Sequence, residues 1–174
     1  MPPDIPPANT PPEAVGTARA LLGGRSQATL TTLVTPSAED AAAVAGWPYP
    51  SLVLVAMDWT GNGAGRPLLL LSELALHTRN LRQDGRAALL FEDTAGRENP
   101  LTGPRLSVMG RAEALAGEEA EAARAVYLDR HPSAALYADF PDFRFWRMEI
   151  TQAHLVAGFG RIHWLNAADL TTSG

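Results

Sequence analysis

The stretch LLLLSELALHTRNLRQDGRAALLFED, residues Leu68–Asp93, decides the fold class. It predicts a buried strand that ends at Ser72, a short helix over His77–Asp84 that stops at Gly85, and a second strand over Arg86–Asp93. The helix is short, and most of the other predicted strands follow one another without a helix between them. This pattern favours a β protein with helical additions over a parallel sheet that has a helix after every strand.

The flanking sequence extends the same pattern in both directions. The predicted elements are a helix over 13–22, strands over 27–35 and 51–58, a loop over 36–50, a hairpin that joins 51–58 to 66–72, a strand over 105–115 with a bulge at Gly110, helices over 117–130 and 131–137, strands over 143–150 and 153–159, and a helical turn over 166–170. The fold prediction is therefore mainly β with helical decoration (α+β), as a largely antiparallel barrel of six or seven strands.

The first twelve residues differ in composition from the remainder of the chain. Residues 1–12 are rich in proline and poor in apolar side chains, which predicts a disordered tail. The remainder, 13–174, shows no internal repeat or linker, and the chain is 46% hydrophobic. We therefore expect one domain over 13–174.

Composition excludes several classes of function. The formal net charge is −5, which argues against a nucleic-acid-binding surface. No apolar run is long enough for a membrane span and no signal peptide is recognised, so we expect a cytoplasmic protein. The sequence contains neither cysteine nor lysine, and all 14 basic residues are arginine. This excludes thiolate chemistry, zinc–cysteine sites, lysine Schiff bases and a Walker-A loop.

The start of the predicted helix over His77–Asp84 carries groups that suit an anion. Ser72, Thr78 and Arg79 offer two hydroxyl donors and a permanently charged guanidinium beside the amides of a helix N-terminus. The alternative is that Thr78 or His77 only caps a surface helix and that Arg79 is solvated. The four histidines show no metal-ligand spacing, so no metal site is predicted.

The chain resembles the pyridoxamine-phosphate-oxidase-related, FMN-binding split-barrel superfamily, and within it the heme-iron-utilisation branch. Besides Leu68–Asp93, the resemblance rests on Ala28–Thr32, Tyr49–Val53, Gly103–Leu106 with Gly110 and Arg111, Arg130–Pro132, Tyr137–Phe140, Asp142–Arg144 and Gly158–Arg161. It implies a six-stranded antiparallel split barrel and an obligate homodimer with FMN at the subunit interface.

The resemblance also assigns cofactor-binding residues. It implies that Ser72 and the run His77, Thr78, Arg79 and Asn80 hold the FMN phosphate, with Arg79 in place of the lysine that the oxidase uses. Ser51 and Leu52 flank the isoalloxazine ring. In the functional interpretation Arg161 reaches the flavin or a ligand carboxylate; otherwise it is a surface charge. No catalytic residue is assigned.

These observations predict an FMN-dependent oxidoreductase that acts on a small-molecule substrate. The alternatives are a heme-binding or heme-utilisation protein and a non-catalytic flavin- or F420-binding protein. We expect heme to bind less tightly than FMN. The heme-degrading relatives use a histidine near the end of the chain, whereas residues 166–174 contain none and His163 lies in an apparent strand.

Overall fold

The computed structural model describes residues 10–36, 39–60 and 65–171. Its helices are α1 (Pro12–Gly24), α2 (Leu76–Gln83), α3 (Gly117–Arg130) and α4 (Ala167–Thr171), and its strands are β1 (Gln27–Leu33), β2 (Pro48–Leu54), β3 (Ala56–Asp58), β4 (Arg66–Ser72), β5 (Arg86–Glu92), β6 (Arg105–Ala114), β7 (Phe143–Val156) and β8 (Ile162–Asn166). Short 3-10 turns lie at Glu39–Val44, Pro100–Thr102 and Pro132–Leu136. Most of the predicted tail over 1–12 lies outside the described residues, and helix α1 begins at Pro12.

The strands form a single antiparallel sheet that confirms the predicted fold class. The sheet has 8 strands in the order β2-β1-β5-β6-β7-β4-β3, and β8 pairs with β7. The sheet has slightly more strands than the six or seven predicted, and the predicted antiparallel barrel is confirmed. The additional strands arise because the segment 51–58 divides into two and because β8 forms a separate ladder at the C-terminal end.

The division of segment 51–58 corrects the predicted hairpin. Strand β2 pairs with β1 through Ser51 and Leu30, whereas β3 pairs with β4 through Ala56 and Leu68. Between the two strands, the backbone N–H of Val55 donates to the carbonyl of Ser26. Only the short segment β3 therefore forms a hairpin with β4, and β2 belongs to the opposite end of the sheet.

The segments 143–150 and 153–159, predicted as two strands, form one long strand, β7. Its ladder with β6 shifts register between Met109 and Gly110, which is the predicted bulge. A Cβ atom at Gly110 would lie 2.0 Å from the carbonyl oxygen of Glu149. Glycine therefore allows the two backbones to approach at this point, and β7 runs past the irregularity without ending.

Two hydrophobic cores lie on opposite faces of β4. Leu69 and Leu71 point into the barrel interior, which α1 and α4 help to close. Leu68 and Leu70 point outward into a second core beneath α3 and the turn Pro132–Leu136. A continuous apolar strand buried on both faces is what the run of four leucines predicts.

The outer face of the remaining strands is not covered by α3. We call it the open face. It consists of two rows of side chains that run across β2, β1, β5, β6, β7 and β8 in that order. The first row is Leu52, Thr29, Leu90, Ser107, His154 and Trp164, and the second is Pro50, Thr31, Ala88, Met109, Gln152 and Asn166. Neither row contains Asp, Glu, Lys or Arg. Leu52 is 72% exposed and Trp164 is 49% exposed, so both ends of the first row carry large apolar side chains in contact with solvent.

Candidate functional site

A cavity opens where the two ends of the sheet meet. Strands β2 and β4 lie close together in space but share no ladder. The gap between them holds a cavity of about 320 Å³, which we call the seam cavity. Its walls are aliphatic side chains of β2 and β4 and the rings of Tyr127, Tyr137 and Phe143, and its polar side chains include Ser72 and His77. No Asp, Glu, Lys or Arg side chain lines it.

Ser51 and His77 form a hydrogen-bonded pair beside this cavity. The Oγ atom of Ser51 lies 3.1 Å from Nδ1 of His77 and 3.5 Å from the carbonyl oxygen of Leu30 on the neighbouring strand. Burial lowers the pKa of His77, because the protonated ring loses its hydration there. The imidazole is therefore neutral at physiological pH.

Ser72 is engaged by a carboxylate. Its hydroxyl donates to Oδ2 of Asp142 at 2.7 Å and accepts from the backbone N–H of Leu74 at 3.2 Å. The carboxylate places a negative charge next to the hydroxyl that was predicted to meet a phosphate. This arrangement weakens the site for an anion.

Thr78 and Asn80 face the protein interior, and both are 0% exposed. The amide of Asn80 accepts from the backbone N–H of Thr35 at 3.2 Å and donates to the hydroxyl of Thr32 at 3.0 Å. The Oγ1 atom of Thr78 is buried and has no hydrogen-bond partner. The side chain of Asn80 thus ties α2 to β1 and the residues after it, and neither side chain reaches a surface ligand in this conformation.

The two predicted arginine contacts lie in different places. Arg79 is exposed on α2, two residues after His77, and does not line the seam cavity. Arg161 lies at the turn between β7 and β8, where its guanidinium donates to the carbonyl of Ala157 at 2.7 Å. It lines a separate small cavity with His163 and Glu13.

The structure therefore divides the predicted cofactor-binding residues into separate groups. Ser51, Leu52, Ser72 and His77 meet at the seam cavity, while the others lie inside the protein, on the surface of α2 or at the β7–β8 turn. As ligand contacts they all remain predictions. Sequence reasoning missed the aromatic wall. Its only signal was the position of Tyr137 and Phe143 within segments that carried the family resemblance.

The turn before β7, rich in carboxylates and aromatic rings, is held by contacts within the protein. Asp139 pairs with Arg124, and the ring centroids of Phe140 and Phe143 lie 6.3 Å apart in an edge-on arrangement. In the described residues, no helix is long and apolar enough to cross a membrane. Within the same residues, no group of three or more His, Asp or Glu side chains is placed to hold a metal ion.

Comparison with known proteins identifies relatives by sequence and by structure. A noncanonical heme oxygenase of Arabidopsis thaliana chloroplasts, HOZ, is 34% identical over 113 residues, which is 65% of this chain and 33% of that protein. The structure of a heme binding protein from Mycobacterium smegmatis is 30% identical with a TM-score of 0.79, covering 91% of this chain and 60% of that chain. The chain thus spans about a third of the plant protein and three fifths of the mycobacterial one.

A further structure supports the fold alone. A protein of the pyridoxinephosphate oxidase family from Clostridium acetobutylicum, related to general stress protein 26, aligns with a TM-score of 0.65 at 12% identity, covering 92% of this chain and 99% of that chain. The family model for the CREG β-barrel matches residues 9–171. The antiparallel barrel and the match over nearly the whole chain lead to one conclusion: this protein is a member of the CREG β-barrel family.

Proposed function

We propose that this protein binds heme in the seam cavity. The main support is the chemistry of the cavity walls, which are aliphatic and aromatic and contain no charged side chain. Such walls suit a planar apolar macrocycle, because its burial brings hydrophobic stabilisation and leaves no charge unpaired. The plant and mycobacterial relatives described above, which are 34% and 30% identical and whose names refer to heme, support the same choice.

The residues present fit heme better than a flavin phosphate. Of the hydroxyl and amide groups predicted to hold a phosphate, that of Ser72 is bonded to a carboxylate and those of Thr78 and Asn80 are buried. Heme carries two carboxylates at one edge of the macrocycle, and these need to face water or a cation. Arg79, which is exposed on α2 two residues after the cavity-lining His77, is the cation that we assign to them. This ranking reverses the sequence-based expectation that FMN binds more tightly.

We further propose that a second copy of the chain covers the open face. A soluble protein seldom leaves a wide surface without charge unless something packs on it. The open face runs across six strands, and Leu52, at its edge, also lines the seam cavity. A symmetric pair of chains would cover both copies of this face and shield the ligand from water.

FMN remains a second candidate because of α2. Its first turn presents backbone N–H groups that the helix geometry leaves without an intrahelical acceptor, and Arg79 lies in that turn. In this case the protein would be an FMN-dependent oxidoreductase that acts on a small-molecule substrate, with the flavin supplying the redox chemistry. A non-catalytic flavin- or F420-binding protein shares the same site.

A matched pair of variants tests the site. Ala75 lines the seam cavity, whereas its neighbour Leu74 is 79% exposed and does not line it. Ala75→Trp fills the cavity and should weaken heme binding at least tenfold. Leu74→Trp adds the same indole outside the cavity and should leave the affinity unchanged. The measurement is a hemin titration of the full chain followed at the Soret band.

Parallel titrations with FMN and F420 separate the candidates. Heme affinity that exceeds FMN affinity and depends on Ala75 but not on Leu74 supports the proposal. If FMN binds more tightly than heme and Arg79→Ala weakens FMN roughly ten- to a hundredfold, the second candidate replaces the first. If both tryptophan variants weaken heme binding equally, heme does not enter the seam cavity.

A further inference from the structure

His77 is the histidine whose ring lines the seam cavity. Its Nδ1 is bonded to Ser51, and among the described residues no protein group bonds its Nε2. By contrast, Nε2 of His131 is held by the carbonyl of Val55 at 2.9 Å, and His154 packs on Trp164 of the open face at 4.6 Å between ring centroids. Since His77 lines the seam cavity while its Nδ1 is engaged, the free nitrogen is the one left for a ligand there.

The hydrogen bond between Ser51 and His77 engages Nδ1 of the ring, and its direction follows the tautomer of the imidazole. The Oγ atom of Ser51, which also lies 3.5 Å from the carbonyl oxygen of Leu30, can accept from Nδ1–H of His77. That tautomer leaves the lone pair of Nε2 free, and it is the tautomer that ligation through Nε2 requires. Histidines that bind metals are held in this way, with the second ring N–H donated to a polar group that orients the ring.

We propose that Nε2 of His77 ligates the iron of heme in the seam cavity; this inference rests on the proposed heme binding. A single imidazole among apolar walls does not hold a bare metal ion, and no three-residue metal cluster exists in the described part of the chain. Iron in a porphyrin already has four nitrogen ligands and needs only one from the protein. The chemistry of the site therefore matches a metal that arrives within a macrocycle.

The surroundings of His77 favour ligation over protonation. Burial disfavours the imidazolium form, and no carboxylate lines the cavity to stabilise it. A neutral imidazole is the form that donates its lone pair to a metal. The sequence-based expectation considered a histidine ligand only near the C-terminus, where the resemblance places the ligand of the heme-degrading relatives.

The test compares His77→Ala with His163→Ala. Both variants remove one imidazole, but only the first removes it from the seam cavity, since His163 lines the small cavity beside Arg161. Each protein is loaded with hemin and reduced, and resonance Raman spectroscopy detects the iron–histidine stretch. The stretch should be present in the wild type and in His163→Ala and absent in His77→Ala, where added imidazole should restore a nitrogen-ligated spectrum. Circular dichroism of each variant checks that it is folded.

A second measurement does not depend on heme. In the ligand-free protein labelled with nitrogen-15, NMR should show His77 with a proton on Nδ1 and none on Nε2, and Ser51→Ala should disturb this tautomer. An iron–histidine stretch that persists in His77→Ala, or a proton found on Nε2 of His77, overturns the inference while heme binding stands. Absence of heme binding in the wild type overturns both the proposed function and the inference.

Discussion

Replacing Asn80 by alanine distinguishes a structural role from a role in ligand binding. The Asn80 side chain is fully buried and joins α2 to two groups at the end of β1, the backbone N–H of Thr35 and the hydroxyl of Thr32. Alanine removes both hydrogen bonds, so the N–H of Thr35 and the hydroxyl of Thr32 each lose the contact with Asn80. We therefore expect Asn80→Ala to lower the stability of the protein, even without ligand.

The magnitude follows from the two contacts. Each of the two buried hydrogen bonds contributes about 0.5–1.5 kcal/mol. The free energy of unfolding should thus fall by about 1–3 kcal/mol. For a chain of this length, each kcal/mol lowers the melting temperature by roughly 2–4 °C. The assay is urea unfolding of the ligand-free protein at fixed concentration, because dimerisation would make the midpoint depend on concentration.

Thr78→Val provides the matched control. Thr78 is as deeply buried as Asn80, but its hydroxyl has no partner, so an isosteric methyl group removes an unsatisfied polar atom. Stability should be unchanged or slightly higher. The reasoning is refuted if Asn80→Ala unfolds within about 0.5 kcal/mol of the wild type, the scale of an ordinary surface substitution. Weakened FMN binding in that same variant would assign Asn80 to the ligand instead.

Three further outcomes are expected. Gly110→Ala should lower the free energy of unfolding in urea by about 1–3 kcal/mol or more, because its Cβ would collide with a carbonyl of β7. Gly16→Ala, in α1 with no atom within 4 Å of the new Cβ, should raise the free energy of unfolding by about 0.5–1 kcal/mol. Burial lowers the pKa of His77 in the folded protein. As the pH falls, the unfolded chain therefore binds a proton at this histidine before the folded protein does. The free energy of unfolding should therefore fall as the pH drops through about 6.5, and this part of the pH dependence should vanish in His77→Gln. Light scattering should give about twice the chain mass of 18.5 kDa for the wild type and a monomer for Leu90→Arg on the open face. Leu136→Arg, outside the sheet, should remain dimeric, and a dimeric Leu90→Arg would contradict the proposed interface.

Local sequence determined the elements whose signals are local. The four leucines of β4, the helix that follows them and the glycine bulge at Gly110 were all predicted, because burial on both faces, helix ends and close backbone approach each leave a mark within a few residues. The family resemblance then supplied the split-barrel fold. Segment 51–58 was misjudged because its apolar run is continuous, and only the ladder partners at opposite ends of the sheet divide it.

Tertiary structure decided which predicted site residues meet. The sequence of the run His77–Asn80 shows which chemical groups are available. The orientation of α2 decides where they lie: His77 lines the seam cavity, Thr78 and Asn80 face the interior, and Arg79 is on the surface. Successive helical residues point about 100° apart, so one ligand-binding segment divides among three environments. The pairing of Ser51 with His77 and the aromatic wall join residues far apart in the chain, and only the approach of β2 to β4 brings them together.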